Sequence, residues 1–210
     1  MSRAESAPAV EAAGRFALIG NRLALDFANT VHARRQNVDA IRTVEDILDF
    51  LKAAGALPGQ AGKLAGSDRT ARSELLDRAL RLRVALRAWL DAGAEPPGGQ
   101  TNLIRSINGI LAANTTAVTL WREGKGWGLK QVAHPRSLLA VLAPVAVSAA
   151  ELIAEGRDAP IRKCGNPNCP MYFYDTSRTG KRRWCSMKSC GNHAKVRSFL
   201  KRRSEGHVIL

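Results

Sequence analysis

A mainly α-helical body, followed by a small four-cysteine zinc module that ends in a basic helix, is the fold class this sequence predicts. Three observations carry the prediction. Apolar residues recur at helical spacing through most of residues 15–158, with one interruption of strand-like alternation. All four cysteines (Cys164, Cys169, Cys185 and Cys190) fall within 27 of the 210 residues. Charge is segregated: residues 161–210 carry twelve Lys and Arg against two acids, Asp175 and Glu205, while residues 1–160 carry twenty against sixteen. A net charge of +14 with 45% hydrophobic residues is therefore a near-balanced globular body with a concentrated cation at one end. Such asymmetry points to nucleic acid or another anionic surface as partner.

The elements follow in order. Residues 1–14 are small, polar and Pro-containing, and predict a disordered terminus. They lack the apolar core of a secretory signal, so a cytoplasmic, reducing location is the default. Residues 21–35, NRLALDFANTVHARR, predict a helix on Leu23, Phe27 and Val31. Residues 43–54 predict a second, with Thr43 as N-cap, acids in its first turn and Gly55 just past its end. A Gly/Pro/Ala-rich loop, 55–69, leads to a long helix over 70–91, whose apolar positions include Leu75, Ala79, Leu82 and Leu86. The segment 92–100 is a loop by composition, and a shorter helix covers about 101–113.

Residues 117–133 change period: Val118 and Leu120 alternate with Thr119 and Trp121 before the turn EGKG, which predicts a β-hairpin. Its Gly124-x-Gly126 lacks the βαβ frame of a dinucleotide loop. Residues 136–156 predict a helix kinked at Pro144. Its apolar run, 138–154, is 17 residues long and contains Pro144 and Glu151, short of the about 20 apolar residues of a spanning helix. It is expected to be a buried core helix, with no membrane partner. The chain has no HExxH, GxSxG or Walker loop, so no enzyme activity is expected.

The cysteines are spaced C-x4-C-x15-C-x4-C. Two close pairs with such a spacer suit one tetrahedral, structural Zn²⁺, and four thiolates leave no open position for catalysis. The loops lack ferredoxin spacings. Four thiolates on Zn²⁺ leave a charge of about −2, which Lys163, Arg182, Arg183 and Lys188 flank and offset. The surplus cations need another partner. Tyr172–Tyr174 predicts a short strand, 176–180 a turn, and the aromatics read as a mini-core before they read as a stacking platform. After Cys190, GNHAKVRSFLKRR predicts a helix with Val196, Phe199 and Leu200 on one face. The metal would fix the start of a helix too short to stand alone.

With four cysteines present, His193 is read as a non-ligand. The candidate nucleic-acid contacts are Arg182, Arg183, Lys188, Asn192, His193, Lys195, Arg197, Lys201 and Arg202. DNA is the first expected partner. The alternatives are an RNA-binding module, with Tyr172, Tyr174 or Trp184 stacking on bases, and a zinc-thiolate redox sensor.

The C-terminal segment resembles the CGNR zinc-finger family. The residues that carry the resemblance are C-GNPN-C, Phe173-Tyr174-Asp175, Arg183-Trp184-Cys185-Ser186-Met187, Cys190-Gly191-Asn192 and Ala194-Lys195-Val196. The family's name-giving Arg is His193 here. The preceding part, with GNRLALDFANTV at 20–31, is similar to the ABATE domain that accompanies this finger. The resemblance covers about 16–204, with the finger at 161–204. It implies a bacterial, stress-related transcription regulator that binds DNA through its finger, with the helical domain as sensor or dimerisation unit. A homodimer and a small-molecule effector are the further partners this role allows. Within the 20–31 block, Asp26, Asn29 and Thr30 share a helix face, and Arg22, one turn before Asp26, is placed to pair with it at i, i+4. They are read either as part of an effector pocket or as a structural polar cluster.

Overall fold

The computed structural model describes residues 15–31, 39–59, 68–95, 101–124 and 126–205. The expected disordered terminus, 1–14, lies outside these, as do the end of the expected first helix and most of the two loops. Helix α1, Leu23–Asn29, is shorter than its apolar spacing suggests. Thr30 stops it: its hydroxyl donates to the Phe27 carbonyl at 2.6 Å, and its carbonyl accepts from Ala40 N. Helix α2, Val44–Ala53, opens on a capping box in which Thr43 accepts from Asp46 N while the Asp46 carboxylate accepts from Thr43 N. The Asp46 carboxylate also takes the Arg42 N–H and an ion pair from Arg15. Gly55, at φ 66°, closes this helix in the left-handed region.

Helix α3, Arg69–Asp91, is capped by Asp68 and buries Leu75, Ala79, Leu82, Leu86, Trp89 and Leu90 along one stripe. One of its arginines turns inward: Arg83 is buried, forks onto the Asp39 carboxylate and donates to Thr30 Oγ1. Helix α4, Asn102–Ala112, is capped by Thr101 and buries Leu103, Ile107 and Ile110. It runs into strands β1, Asn114–Glu123, and β2, Gly126–Pro135, which pair antiparallel with Leu120 opposite Leu129. The hairpin is longer than the expected 117–133, because Asn114–Thr116 extend the ladder beyond the alternating run.

A 3₁₀ turn, Leu138–Leu142, then leads into helix α5, Ala143–Glu155. Pro144 does not kink a continuous helix here. It stands in the first turn of α5, where its missing N–H costs no intrahelical bond. Leu138–Asp158 is long and apolar enough to cross a membrane by length and composition, and in the structure it forms the centre of the body. Val145, Ala146, Ala149 and Leu152 are fully buried against α1 and α4. Phe27 and Phe50 meet at 5.6 Å between ring centroids, and Phe16 meets Phe50 edge-on at 5.5 Å.

The C-terminal module follows. Strands β3, Ile161–Lys163, and β4, Tyr172–Tyr174, pair antiparallel. A wide π-type turn, Met187–Gly191, leads into helix α6, Asn192–Glu205. Strand β4 lies against α1, so the module is seated on the helical body.

Candidate metal centre and its seat

The first cysteine pair sits in the β3–β4 connection. Cys164 follows β3 and bonds Met171 O through its backbone N–H, and Cys169 N donates to Asn166 O across the loop. The second pair spans the π-type turn, in which Gly191 N reaches back five residues to Ser186 O. This wide turn carries Cys190, the last ligand, into the start of the following helix. Gly165 is held where a side chain will not fit easily: a Cβ there would stand 3.1 Å from Arg183 O and 3.3 Å from the Trp184 ring.

The four sulfurs lie within 4.8 Å of one another. Cys169 and Cys185 are 3.6 Å apart, as are Cys185 and Cys190. That is too long for disulfides and close to the roughly 3.8 Å edge of a tetrahedron with Zn–S bonds of about 2.3 Å. Two donors already point at sulfur: Cys185 N at Cys164 Sγ, 3.4 Å, and Asn166 Nδ2 at Cys190 Sγ, 3.6 Å. So crowded a set cannot ionise together without a cation. The Cys169 thiol is pulled down to about 5, first by the hydrogen bond from Cys185, and that same bond together with burial pushes Cys185 up. An all-sulfur, largely buried, tetrahedral donor set fits Zn²⁺, and the site holds a single structural zinc.

The cations flanking the ligands divide into two groups. Arg182 belongs to the interior. Its guanidinium donates to the carbonyls of Trp184, Cys185 and Ile19 and lies 4.3 Å from the Phe173 ring centre. Burial lowers its pKa. It is a brace for the second ligand loop. Asp175, buried at 5% exposure, organises the same region by accepting from Ser177 N, Arg182 N and Arg162 Nε. Phe173 is fully buried beside the cysteines, as a mini-core requires. Arg183, Asn192, His193, Lys195, Arg197 and Arg202 are exposed, as are Lys188 in the wide turn and Arg203, which sequence reasoning left out. Lys201 lies on the same helix.

The polar residues of the 20–31 block build the seat for β4. Asn29, 2% exposed, donates to Tyr172 O at 2.8 Å and accepts from Tyr172 N at 2.9 Å, acting as a surrogate strand partner. Gly20 O accepts from Tyr174 N, and Asn21, at φ 60°, donates to Tyr174 O and Thr176 Oγ1. A side chain at position 20 would collide with Leu25 Cβ at 2.8 Å, so glycine lets this segment pass close to α1. The Tyr172 hydroxyl donates to Asp91 and the Tyr174 hydroxyl to Glu155, two partners that no local spacing signals. The expected Arg22–Asp26 pair does not form. Arg22 precedes the helix in extended conformation, pairs with Glu155 at 3.2 Å and lies 4.1 Å over the Tyr174 ring. Thr30 serves Phe27 and Arg83.

Asp26 accepts from Gly20 N at 2.7 Å and lines a cleft of about 290 Å³ with Leu18, Asn21, Arg22, Leu23, Ala53 and Ala54. Asn29 and Thr30 are not in its wall. Burial lifts the Asp26 pKa from 3.8 to about 7, against the pull of the Gly20 and Ile19 N–H groups. An acid whose pKa rises on folding holds its proton more tightly in the folded state. Its contribution to stability therefore falls as pH climbs from about 4 to about 7 and then levels off, by roughly 4 kcal/mol across the whole window. Asp26→Asn keeps an acceptor for Gly20 N. The variant is expected to gain stability relative to the parent as pH rises from about 4 to about 7. Denaturation midpoints of both proteins along a pH series measure it, and parallel curves would refute it.

A helical domain that seats a four-sulfur zinc finger, with a basic helix starting at the metal site, defines a zinc-binding protein of modular build. The model of the CGNR zinc finger matches residues 161–203, and the ABATE model, described as "putative stress-induced transcription regulator", matches residues 21–156. The chain belongs to the ABATE family and carries a CGNR zinc finger. No curated protein matches it.

Proposed function

We propose that this protein is a transcription regulator that binds duplex DNA through its finger, and that the helical body senses a small effector. The observation that carries the reading is α6. It starts at the metal site and exposes Lys195, Arg197, Arg202 and Arg203, and its sole acid, Glu205, is its last residue. Cations held on a metal-anchored helix suit phosphate contacts, and Asn192 and His193 at its first turn suit base edges. RNA stacking is less well supported: Tyr172 is buried, and Tyr174 lies under Arg22. The reading assigns no catalysis.

The sensor role rests on the cleft beside Asp26. Asn21 and Arg22 form part of its wall and also grip β4, so a ligand that moves them is felt at the finger.

Fluorescence anisotropy with duplex DNA across a salt series tests the proposal. Affinity is expected to fall steeply with salt, and Arg197→Ala is expected to reduce the log–log slope by about 1. Affinity indifferent to salt, or equal for single-stranded RNA, would refute it.

A further inference from the structure

Among the described residues the hairpin β1–β2 packs chiefly on itself and on α4 rather than on the finger or its seat, and its surface is unusual for a basic protein. Register places Val118, Leu120 and Arg122 of β1 on one face with Leu129 and Trp127 of β2. On that face Val118 is 61% exposed, Leu120 64%, Trp127 65% and Leu129 74%. The opposite face satisfies itself: Thr119 donates to Lys130 O, and the Lys130 ammonium lies 5.2 Å over Trp121. The hairpin is anchored at its base, where α4 leads into β1 and Arg136 N bonds Ala113 O. A two-stranded sheet is marginal in water unless something covers an apolar face. Four large apolar side chains at these exposures are a surface built to be covered.

Charge indicates what covers it. The chain carries +14, so two copies repel one another over most of their surface. Residues 114–121 hold no charged residue. The one charge on the apolar face is Arg122, at the tip, 5.7 Å from the ring centre of its own Trp127. An acidic partner finds no cation in the middle of this face. Nucleic acid finds a single ring among aliphatic groups. A copy of the same face meets neither obstacle, and a two-fold with antiparallel strands sets the two Arg122 tips at opposite ends.

We propose that the protein self-associates through this face, with Val118, Leu120, Trp127 and Leu129 of one copy packed on those of a second. Strands of ten residues, about 33 Å long and two abreast, offer roughly 350 Å² per copy. A standard interface takes about 800 Å² per partner, so the contact is a weak, concentration-dependent dimer. On DNA with two half-sites the tether of each finger raises the effective concentration and strengthens it.

Sedimentation velocity on the full, zinc-loaded chain from about 1 μM to about 1 mM tests this. The expected result is a monomer that shifts to dimer with concentration. Leu120→Ser/Leu129→Ser is expected to weaken association more than about tenfold, as loss of central apolar anchors does. Trp127→Ala, which leaves the strand centre intact, is expected to weaken it to a smaller extent. Lys130→Ala, on the other face, is expected to associate like the parent. A parent that stays monomeric throughout, or a double variant that dimerises as the parent does, would overturn the proposal. So would a monomeric parent whose duplex-DNA affinity falls in the double variant, since that assigns the face to nucleic acid.

Discussion

Chelating the zinc is expected to unfold residues 161–205 and leave the helical body folded. The apolar material beside the metal is small: Met171 and Phe173 with the cysteines themselves and Trp184 partly buried at the rim, joined by Ala17 and Ile19 from the segment before α1. Helix α6 packs chiefly on the wide turn that carries Cys190, and Val196, Phe199 and Leu200 are each more than half exposed. A 14-residue helix with so little buried stripe is marginal by itself. Without a cation, the four sulfurs are a crowd of thiols competing over protons rather than a brace. Structural zinc contributes roughly 10–16 kcal/mol of apparent binding free energy in small fingers, more than such a core can replace. The body has its own core across α1 to α5. It meets the module at the seat around β4, through Ala17 and Ile19 beside the cysteines, and through Arg87, which donates to Pro170 O. Circular dichroism should therefore lose the α6 fraction of its helical signal on chelation, with about one zinc released per chain, and recover it when zinc returns. Cys185→Ser should behave as the chelated protein does, because it removes the sulfur that lies 3.6 Å from two others. An unchanged helical signal after complete metal removal would mean that the module stands on its own packing.

How much of this was legible in the sequence follows the range over which each signal acts. The five described helices of the body announce themselves through period and caps: Thr43, Asp68 and Thr101 each accept from a first-turn N–H. The zinc ligands are legible because tetrahedral sulfur needs close pairs and a spacer. Pro144 was legible as a boundary but not as to which kind, since the same residue kinks a helix or starts one. The apolar stripe of α6 was legible as a stripe, but spacing does not tell whether a partner lies against it.

The polar block at 20–31 shows the limit most clearly. Helical spacing places Asp26, Asn29 and Thr30 together, yet their partners are Gly20, Tyr172 and Arg83, at sequence distances of 6, 143 and 53 residues. Local period carries no information about the last two. The Arg22–Asp26 pair failed for a related reason: an i, i+4 argument holds only when both residues are helical, and Arg22 is extended.

Asn29→Ala is the substitution in the body expected to cost most. The Asn29 amide is the only residue of α1 that reaches a β4 backbone group among the described hydrogen bonds, and it meets both the N–H and the C=O of Tyr172. Tyr172 is 4% exposed, so water cannot take over these groups without opening the seat. A buried polar group left unsatisfied costs about 1–3 kcal/mol, and two are orphaned together, so the loss should be roughly 2–5 kcal/mol. Asn29→Asp separates hydrogen bonding from shape. The carboxylate still accepts from Tyr172 N, but it cannot donate to Tyr172 O, and it adds a buried negative charge beside that carbonyl. Both variants should unfold at lower denaturant concentration than the parent, with the zinc still bound before the transition because no ligand is touched. If Asn29→Asp matched the parent, the Asn29–Tyr172 pair would be a bystander, and the module would be held on the body by Gly20, Asn21 and the tyrosine hydroxyls.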